Sequence, residues 1–415
     1  MKALEKAASR ARNGIRCSIP AFADNVDPVS QIDLVSRQCG GQNCHVDVQF
    51  ADRVTWIARI RLDSPHLPPP AVQAHIFLSE VATLKFLSNT RVPAPQVYAY
   101  ELEAPNNAVG TSYVLMEKLP GKPLDWGCAT TEQRARVMEQ LADVYLELER
   151  HPILQTGSLV HSAGSDRAKR NRVDVGSFAQ TPCFETPDLA VGPFGTLEAA
   201  YTAIIRQQQR MLANHEVSTL PVDNYLSFFW RLKVLPELVA ESVSRIGPFY
   251  LRHQDDKGDH ILVDNDYNIT GIIDWEWASA EAKEVAFNSP CMMWPVADFY
   301  DGKNALAEDE ERFAAMFEKR GRSDMASIVR GGRRWQRYLF FLGGMPWSMT
   351  DFEGLFQGLR KSFLGVDDKE QTLSSYRDWK QGALARFVKG DAQLQALMRD
   401  ERAKRRQVPG VLPRS

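Results

Sequence analysis

Apolar and polar positions first alternate in short runs and later recur at three- and four-residue intervals, so the pattern predicts strands near the start of the chain and helices over most of the rest. Val46-Asp47-Val48-Gln49-Phe50 alternates strictly and follows Gly40-Gly41-Gln42-Asn43-Cys44, which reads as a tight glycine turn leading into a strand. Val54-Thr55-Trp56-Ile57-Ala58-Arg59-Ile60-Arg61 reads as a second strand, and Tyr113-Val114-Leu115-Met116-Glu117 as a third that ends at the Pro120-Gly121 break. Between them, after a proline-rich connection at 65–70, the spacing of Val81, Leu84 and Leu87 predicts a helix over 79–87. Val137, Leu141, Val144, Tyr145 and Leu148 predict a long helix that Thr131 could cap. Residues 157–195 are rich in Ser, Gly, Asp and Pro and show no period, which suggests a long insertion. Further helical spacing covers 197–213, 225–244, 308–330 and 334–341.

One segment departs from this helical pattern. Ile261-Leu262-Val263 and Ile269-Thr270-Gly271-Ile272-Ile273 are β-branched runs around the turn-forming Asn265-Asp266-Tyr267-Asn268, and they predict a hairpin. The hairpin returns Asp274 to the neighbourhood of the loop that carries Asp255. Moving a phosphoryl group asks for two carboxylates in such places, one to orient the acceptor hydroxyl and one to hold a divalent metal. Asp255 and Asp274 can fill those roles, and backbone N–H groups at Gly40 and Gly41 can cover phosphates.

The stretch His253-Gln254-Asp255-Asp256-Lys257-Gly258-Asp259-His260 followed by Ile273-Asp274-Trp275 resembles the catalytic region of the aminoglycoside phosphotransferase, or choline kinase-like, branch of the protein kinase-like fold, in particular its fungal subgroup. The resemblance implies an α+β, bilobal architecture: a small N-terminal antiparallel β-sheet lobe with one helix and a larger, mainly helical C-terminal lobe. Residues 1–25 would form an N-terminal extension, 26–119 the N-lobe, 120–398 the C-lobe and 399–415 a basic flexible tail. It also implies ATP and Mg2+ as cofactors, with Mn2+ an alternative. Asp255 takes the catalytic position, Lys257 the place facing the γ-phosphate, and Asp274 that of the metal-binding Asp. Arg59 matches the strand-three lysine and Glu80 is its expected partner. Met116, Glu117, Lys118 and Leu119 fall at the hinge that meets adenine. His260 falls where kinases carry a metal-binding Asn, a departure, because Mg2+ prefers oxygen and imidazole suits softer metals. Asp256 or Asp259 could supply the missing oxygen, His260 could ligate a metal such as manganese, or the second metal site could be weak.

With 415 residues, 44% hydrophobic and 25% charged, the chain has the composition of a globular protein. A net charge of −2 argues against a nucleic-acid partner, and no apolar run is long enough to cross a membrane. The six cysteines form no C-x-x-C pair and the start has no apolar leader pattern, so a cytoplasmic location is expected. The expected partner is a small hydroxylated acceptor. Aminoglycosides are polycations, whereas the insertion carries Arg167, Lys169, Arg170 and Arg172, so the acceptor's identity stays open, as does the oligomeric state. Two other readings compete with the kinase: a catalytically impaired nucleotide-binding or interaction protein, and a metal-dependent hydrolase built on His253, Asp255, Asp256, Asp259 and His260.

Overall fold

Alternation in sequence becomes two-faced packing in the first sheet. The computed structural model describes residues 1–20, 38–63, 68–162, 173–180, 191–216, 219–340, 348–364 and 373–407, with positions 29, 33 and 342 besides. The chain divides into two compact units. The first comprises Met1–Arg150, Leu159–Asp174 and His253–Ala278. The second comprises His151–Ser158, Val175–Arg252 and Ser279–Ser415. The segment His253–Ala278 therefore clusters with the first 150 residues, a division that does not coincide with the lobe boundary expected at 119/120.

In the first unit, helix α1 (Lys2–Ala11) precedes strands β1 (Cys17–Ser18), β2 (Asn43–Phe50) and β3 (Thr55–Arg61), then helix α2 (Pro70–Leu87), β4 (Val97–Glu101) and β5 (Tyr113–Glu117). The strands form one antiparallel sheet in the order β1-β2-β3-β5-β4. Successive side chains of a strand point to opposite faces. One face gathers Cys44, Val46, Val48, Phe50, Trp56, Ala58, Ile60 and Leu115 into a core that Leu4, Ala8 and Ile19 complete. Residues 1–20 thus join the sheet through α1. Leu4 and Ala8 lie on adjacent turns of the same helix face, which gives that face its apolar stripe.

The other face of the sheet carries Asn43, His45 and Asp47 on β2 and Ile57, Arg59 and Arg61 on β3, in the register Asn43↔Arg61, His45↔Arg59 and Asp47↔Ile57. Helix α2 covers part of it, with Phe77 and Val81 packing on Val114 and Met116. This helix is longer than its apolar spacing predicts. It starts at Pro70, where proline's fixed φ suits the first turn and its missing N–H costs nothing; residues 64–67 of the proline-rich connection lie outside the described residues. The helix Thr131–Glu149 is capped by Thr130, one residue before the expected cap, in a capping box with Gln133.

The hairpin forms as expected. Ile261–Val263 pairs with Ile269–Ile272, and on its other edge with Lys122–Pro123. Asp264 accepts hydrogen bonds from the backbone N–H groups of Asp266 and Asn268, at 2.9 and 2.8 Å, and these fix the turn.

The second unit is mainly helical: Leu197–Ala213, Pro221–Ala240, Glu308–Lys319, Ser323–Gly331, Arg333–Phe340, Met349–Lys361, Tyr376–Phe387 and Ala392–Gln407. The helical spacing over 308–330 is interrupted at Gly321, whose φ of +69° ends one helix before the next begins. Buried charges in this unit are held by carboxylates or by carbonyl oxygens: Arg337 donates to the Phe299 and Lys303 carbonyls, both at 2.6 Å. Glu310, fully buried, accepts from Arg333 at 2.5 Å and from Ser289 at 2.8 Å. The basic run expected as a flexible tail is helical as far as Gln407. The basic residues Arg167, Lys169, Arg170 and Arg172 of the insertion lie outside the described residues. Among those described, no helix is long and apolar enough to cross a membrane.

Because Leu4 is fully buried in the core of the sheet, Leu4→Ala is expected to destabilise the protein by about 3 kcal/mol. A lowered urea midpoint measures this. An unchanged midpoint would show that α1 is a dispensable appendage.

Candidate active site

Two arginines on one face of β3 are the starting point. Arg59 and Arg61 are two residues apart, so both side chains leave the strand on the face that α2 partly covers. Burying a guanidinium is tolerable only beside carboxylates, and the first unit supplies three. Glu80, on the buried face of α2, pairs with Arg59 Nη1. Glu276 pairs with Arg59 Nη2, and its other oxygen accepts from Arg61 Nη1 at 2.7 Å. Asn43 Nδ2 donates to Glu276 at 3.1 Å. Asp274 Oδ1 lies 3.1 Å from Arg59 Nη2.

These contacts set the charges. Burial works to lower the pKa of Arg59, but the combined field of Glu80, Glu276 and Asp274 outweighs it and raises it above its ordinary value. Burial would also raise Glu276, yet Arg59 and Arg61 keep it below its ordinary value. Glu80 is pushed up to about 7 by burial, against the pull of Arg59 and with the negative charges of Glu276 and Asp274 adding to the rise. Two buried arginines therefore face two buried carboxylates. Asp274, with its side chain 55% exposed, is the carboxylate of the group that water still reaches.

The segment that presents Asp274 is bent sharply. Asp274 and Trp277 both occupy left-handed backbone, at φ +59° and +67°. Trp275, fully buried between them, anchors the bend by donating its indole N–H to the Ile272 carbonyl at 2.9 Å. The catalytic loop packs against it. His253 Nε2 contacts the Ile273 carbonyl oxygen at 2.9 Å, and its ring meets Trp275 edge-on and stacks on His260 with centroids 4.1 Å apart. Burial lowers the pKa of both imidazoles, and that of His260 falls to about 2, through burial first and then the neighbouring His253 and Lys257. Asp255 is partly exposed, with Lys257 Nζ 3.1 Å from its Oδ2.

The remaining expected site residues are placed as follows. Gly40 closes its turn by a hydrogen bond from its N–H to the Asn43 carbonyl at 2.8 Å. A Cβ at Gly41 would meet no protein atom within 4 Å, and one at Gly40 only the Asn43 oxygen at 3.8 Å. Met116 is buried at the end of β5, and Glu117 N–H donates to Gln96 O. Lys118 leaves the expected hinge to pair with Asp47 at 2.6 Å. Leu119 packs against Gly271 of the hairpin, where a Cβ would come within 2.6 Å of its Cδ1.

The structure thus brings Arg59, Glu80 and Asp274 into one cluster, while Asp255 and Lys257 pair in the adjoining loop. Among the described residues no group of three or more His, Cys, Asp or Glu converges as a metal cage, and the ring of His260 is engaged with His253. Sequence reasoning missed Glu276, Arg61 and Asn43. The available signals were Arg61 sharing a strand face with Arg59, and Asn43 standing opposite it across the β2–β3 register.

The comparisons bear on the whole arrangement. A family model described as "Phosphotransferase enzyme family" (APH) matches residues 45–327. A subtelomeric hrmA-associated cluster protein of Aspergillus fumigatus is 32% identical over 123 residues, 29% of this chain and 22% of that protein. A second, from another strain, is 35% identical over 91 residues, so the aligned part spans only about a fifth of either relative. Among solved structures, a thermostable mutant of aminoglycoside phosphotransferase APH(4)-Ia in ternary complex with AMP-PNP and hygromycin B gives a TM-score of 0.43 at 17% identity, covering 87% of this chain and 91% of that one. Plasmodium vivax ethanolamine kinase gives 0.44 at 11% identity, covering 84% and 85%. Matched by the family model over more than half of its length, the chain belongs to the phosphotransferase enzyme family, APH.

Proposed function

We propose that this protein transfers the γ-phosphoryl group of ATP to a hydroxyl group of a small molecule. The observation that carries the reading is the placement of Arg59, held by Glu80, with Nη2 3.1 Å from the half-exposed Asp274. A phosphoryl-transfer site needs a cation for the nucleotide's phosphates and a carboxylate for its metal, and here one contact joins the two.

The donor set suits magnesium. Mg2+ is commonly held by one or two carboxylates plus phosphate oxygens and water, without a cage made wholly of protein, so the lack of a three-residue cluster is no obstacle. Asp274 would hold the ion, which would neutralise charge building on the phosphates. His260 is a poor candidate for a second ligand, since its ring is buried against His253 and nitrogen suits magnesium badly. We assign it to supporting the loop, alongside His253.

Asp255 would orient the acceptor hydroxyl and accept its proton. Lys257, 3.1 Å from Asp255, would steady the transferring group. Arg59 would bind the α- and β-phosphates through a planar fork, where a lysine would act as a point charge. The open space around Gly40 and Gly41 would let backbone N–H groups approach the nucleotide, and Met116 to Leu119 would bound the adenine. A protein that bound nucleotide without transferring phosphate would share all of this except a need for Asp255.

Calorimetric titration of ATP with magnesium, with manganese and without metal is expected to show metal-dependent binding that Asp274→Ala weakens strongly. Absence of binding under every condition would sink the kinase reading. Asp255→Asn is expected to leave ATP affinity unchanged while cutting ADP formation in the presence of an acceptor by about 10²–10⁴-fold; an unaffected rate would remove Asp255 from the chemistry. The loop-support role of His260 has a pH signature. Its folded pKa of about 2 lies below the ordinary 6.5, so below pH 6.5 the unfolded chain takes a proton that the folded chain refuses, and stability falls with pH. The slope from this one group approaches about 1.4 kcal/mol per pH unit. Urea midpoints measured down through this range should fall less steeply for His260→Asn than for the native chain.

A further inference from the structure

Arg59 is asked to present a fixed fork to phosphate oxygens, yet a guanidinium held at one nitrogen can still swing about its stem. Glu80 takes only Nη1, and Nε has no hydrogen-bond partner. The plane is set by what holds Nη2. Asp274 reaches that nitrogen, but it is the half-exposed carboxylate that the proposed function needs for magnesium. Glu276 reaches it too, and Glu276 is buried.

We propose that Glu276 is a positioning residue for the nucleotide's phosphates: with Glu80 it fixes the Arg59 guanidinium, and Arg61 and Asn43 in turn fix Glu276. This rests on the nucleotide-binding reading of the site. Both oxygens of Glu276 are committed. Oε2 accepts from Arg59 and, at 3.1 Å, from Asn43 Nδ2, while Oε1 accepts from Arg61 Nη1 at 2.7 Å. Asn43 and Arg61 stand opposite each other on β2 and β3, so one rung of the sheet grips the carboxylate from two directions. Side chains locked by such supporting contacts hold a site to the tolerance that phosphate recognition needs.

The charge balance points the same way. Arg59 and Arg61 are matched by Glu80 and Glu276, all four buried. Asp274, half-exposed, is then surplus to that pairing and available to the metal. Without Glu276, two buried arginines would share Glu80, and the nearest carboxylate to make up the deficit would be Asp274. Glu276 thus serves Asp274 without touching the metal. A structural ion pair at this position would lack that consequence.

The test is calorimetric binding of AMP-PNP, with magnesium and in EDTA, and of adenosine, to the native chain, Glu276→Gln, Arg59→Met and the double variant. Glu276→Gln should weaken AMP-PNP by about tenfold or more, in EDTA as well as with magnesium. Adenosine, which has no phosphates, should bind unchanged. In the Arg59→Met background the second substitution should cost nothing further, since Glu276 acts through Arg59. Additive losses, a loss confined to magnesium, an equal loss for adenosine, or no loss would each overturn the proposal. If the native chain binds AMP-PNP and only the expected Glu276 pattern fails, the nucleotide reading survives; if the native chain fails to bind, both fall.

Discussion

A buried arginine governs the architecture of this site. Arg59 leaves β3 on the inner face of the sheet with its side chain only 6% exposed, and a charge so placed is stable only if carboxylates surround it. One comes from α2, so Glu80 fixes how that helix lies on the sheet. Two come from the bend after the hairpin, so Asp274 and Glu276 tie the catalytic segment to the same strand. Removing the cation would leave three carboxylates facing one another. The helix, the sheet and the segment after the hairpin therefore all meet at one guanidinium.

That constraint explains which features were legible in the sequence. Strands β2, β3 and β5 and the hairpin with its turn are local, and short apolar runs with Asn265, Asp266 and Asn268 sufficed to find them, whereas β1 and β4 went unread. Arg59 and Glu80 were found through resemblance, because family position substitutes for the missing long-range information. Glu276 was not, and the reason is physical: its partners Asn43, Arg59 and Arg61 lie more than 200 residues away, and no local period registers a carboxylate that faces inward from a bend. Helix α1 escaped for a related reason. Leu4 and Ala8 make too small a stripe to stand out until the sheet they cover is known. The start of α2 was hidden by Pro70, which reads as a breaker unless the helix is already known to begin there.

His260 shows how a departure from pattern can be accommodated. An asparagine in a kinase loop offers an oxygen, whereas here a ring lies flat on His253, which itself abuts Trp275. Three aromatic groups thus pack together at the loop that carries Asp255, two stacked and the third edge-on. The stack requires neutral imidazoles, since two charged rings 4.1 Å apart in a buried setting would repel. Burial supplies that neutrality, and His253 spends its Nε2 on the Ile273 carbonyl, beside Asp274.

The bend itself is the last piece. Residues in an ordinary strand alternate faces, so Asp274 and Glu276 would share one face and Trp275 would take the other. Left-handed backbone at Asp274 and Trp277 breaks that extended run, and the outcome is a half-exposed Asp274 beside a buried Glu276, both within reach of the same arginine nitrogen. Each such residue costs on the order of 1–3 kcal/mol. Burial of the Trp275 side chain, worth about 2–3 kcal/mol, and the ion pairs of Glu276 offset that strain. The bend leaves one carboxylate buried against the arginines and the other open to solvent.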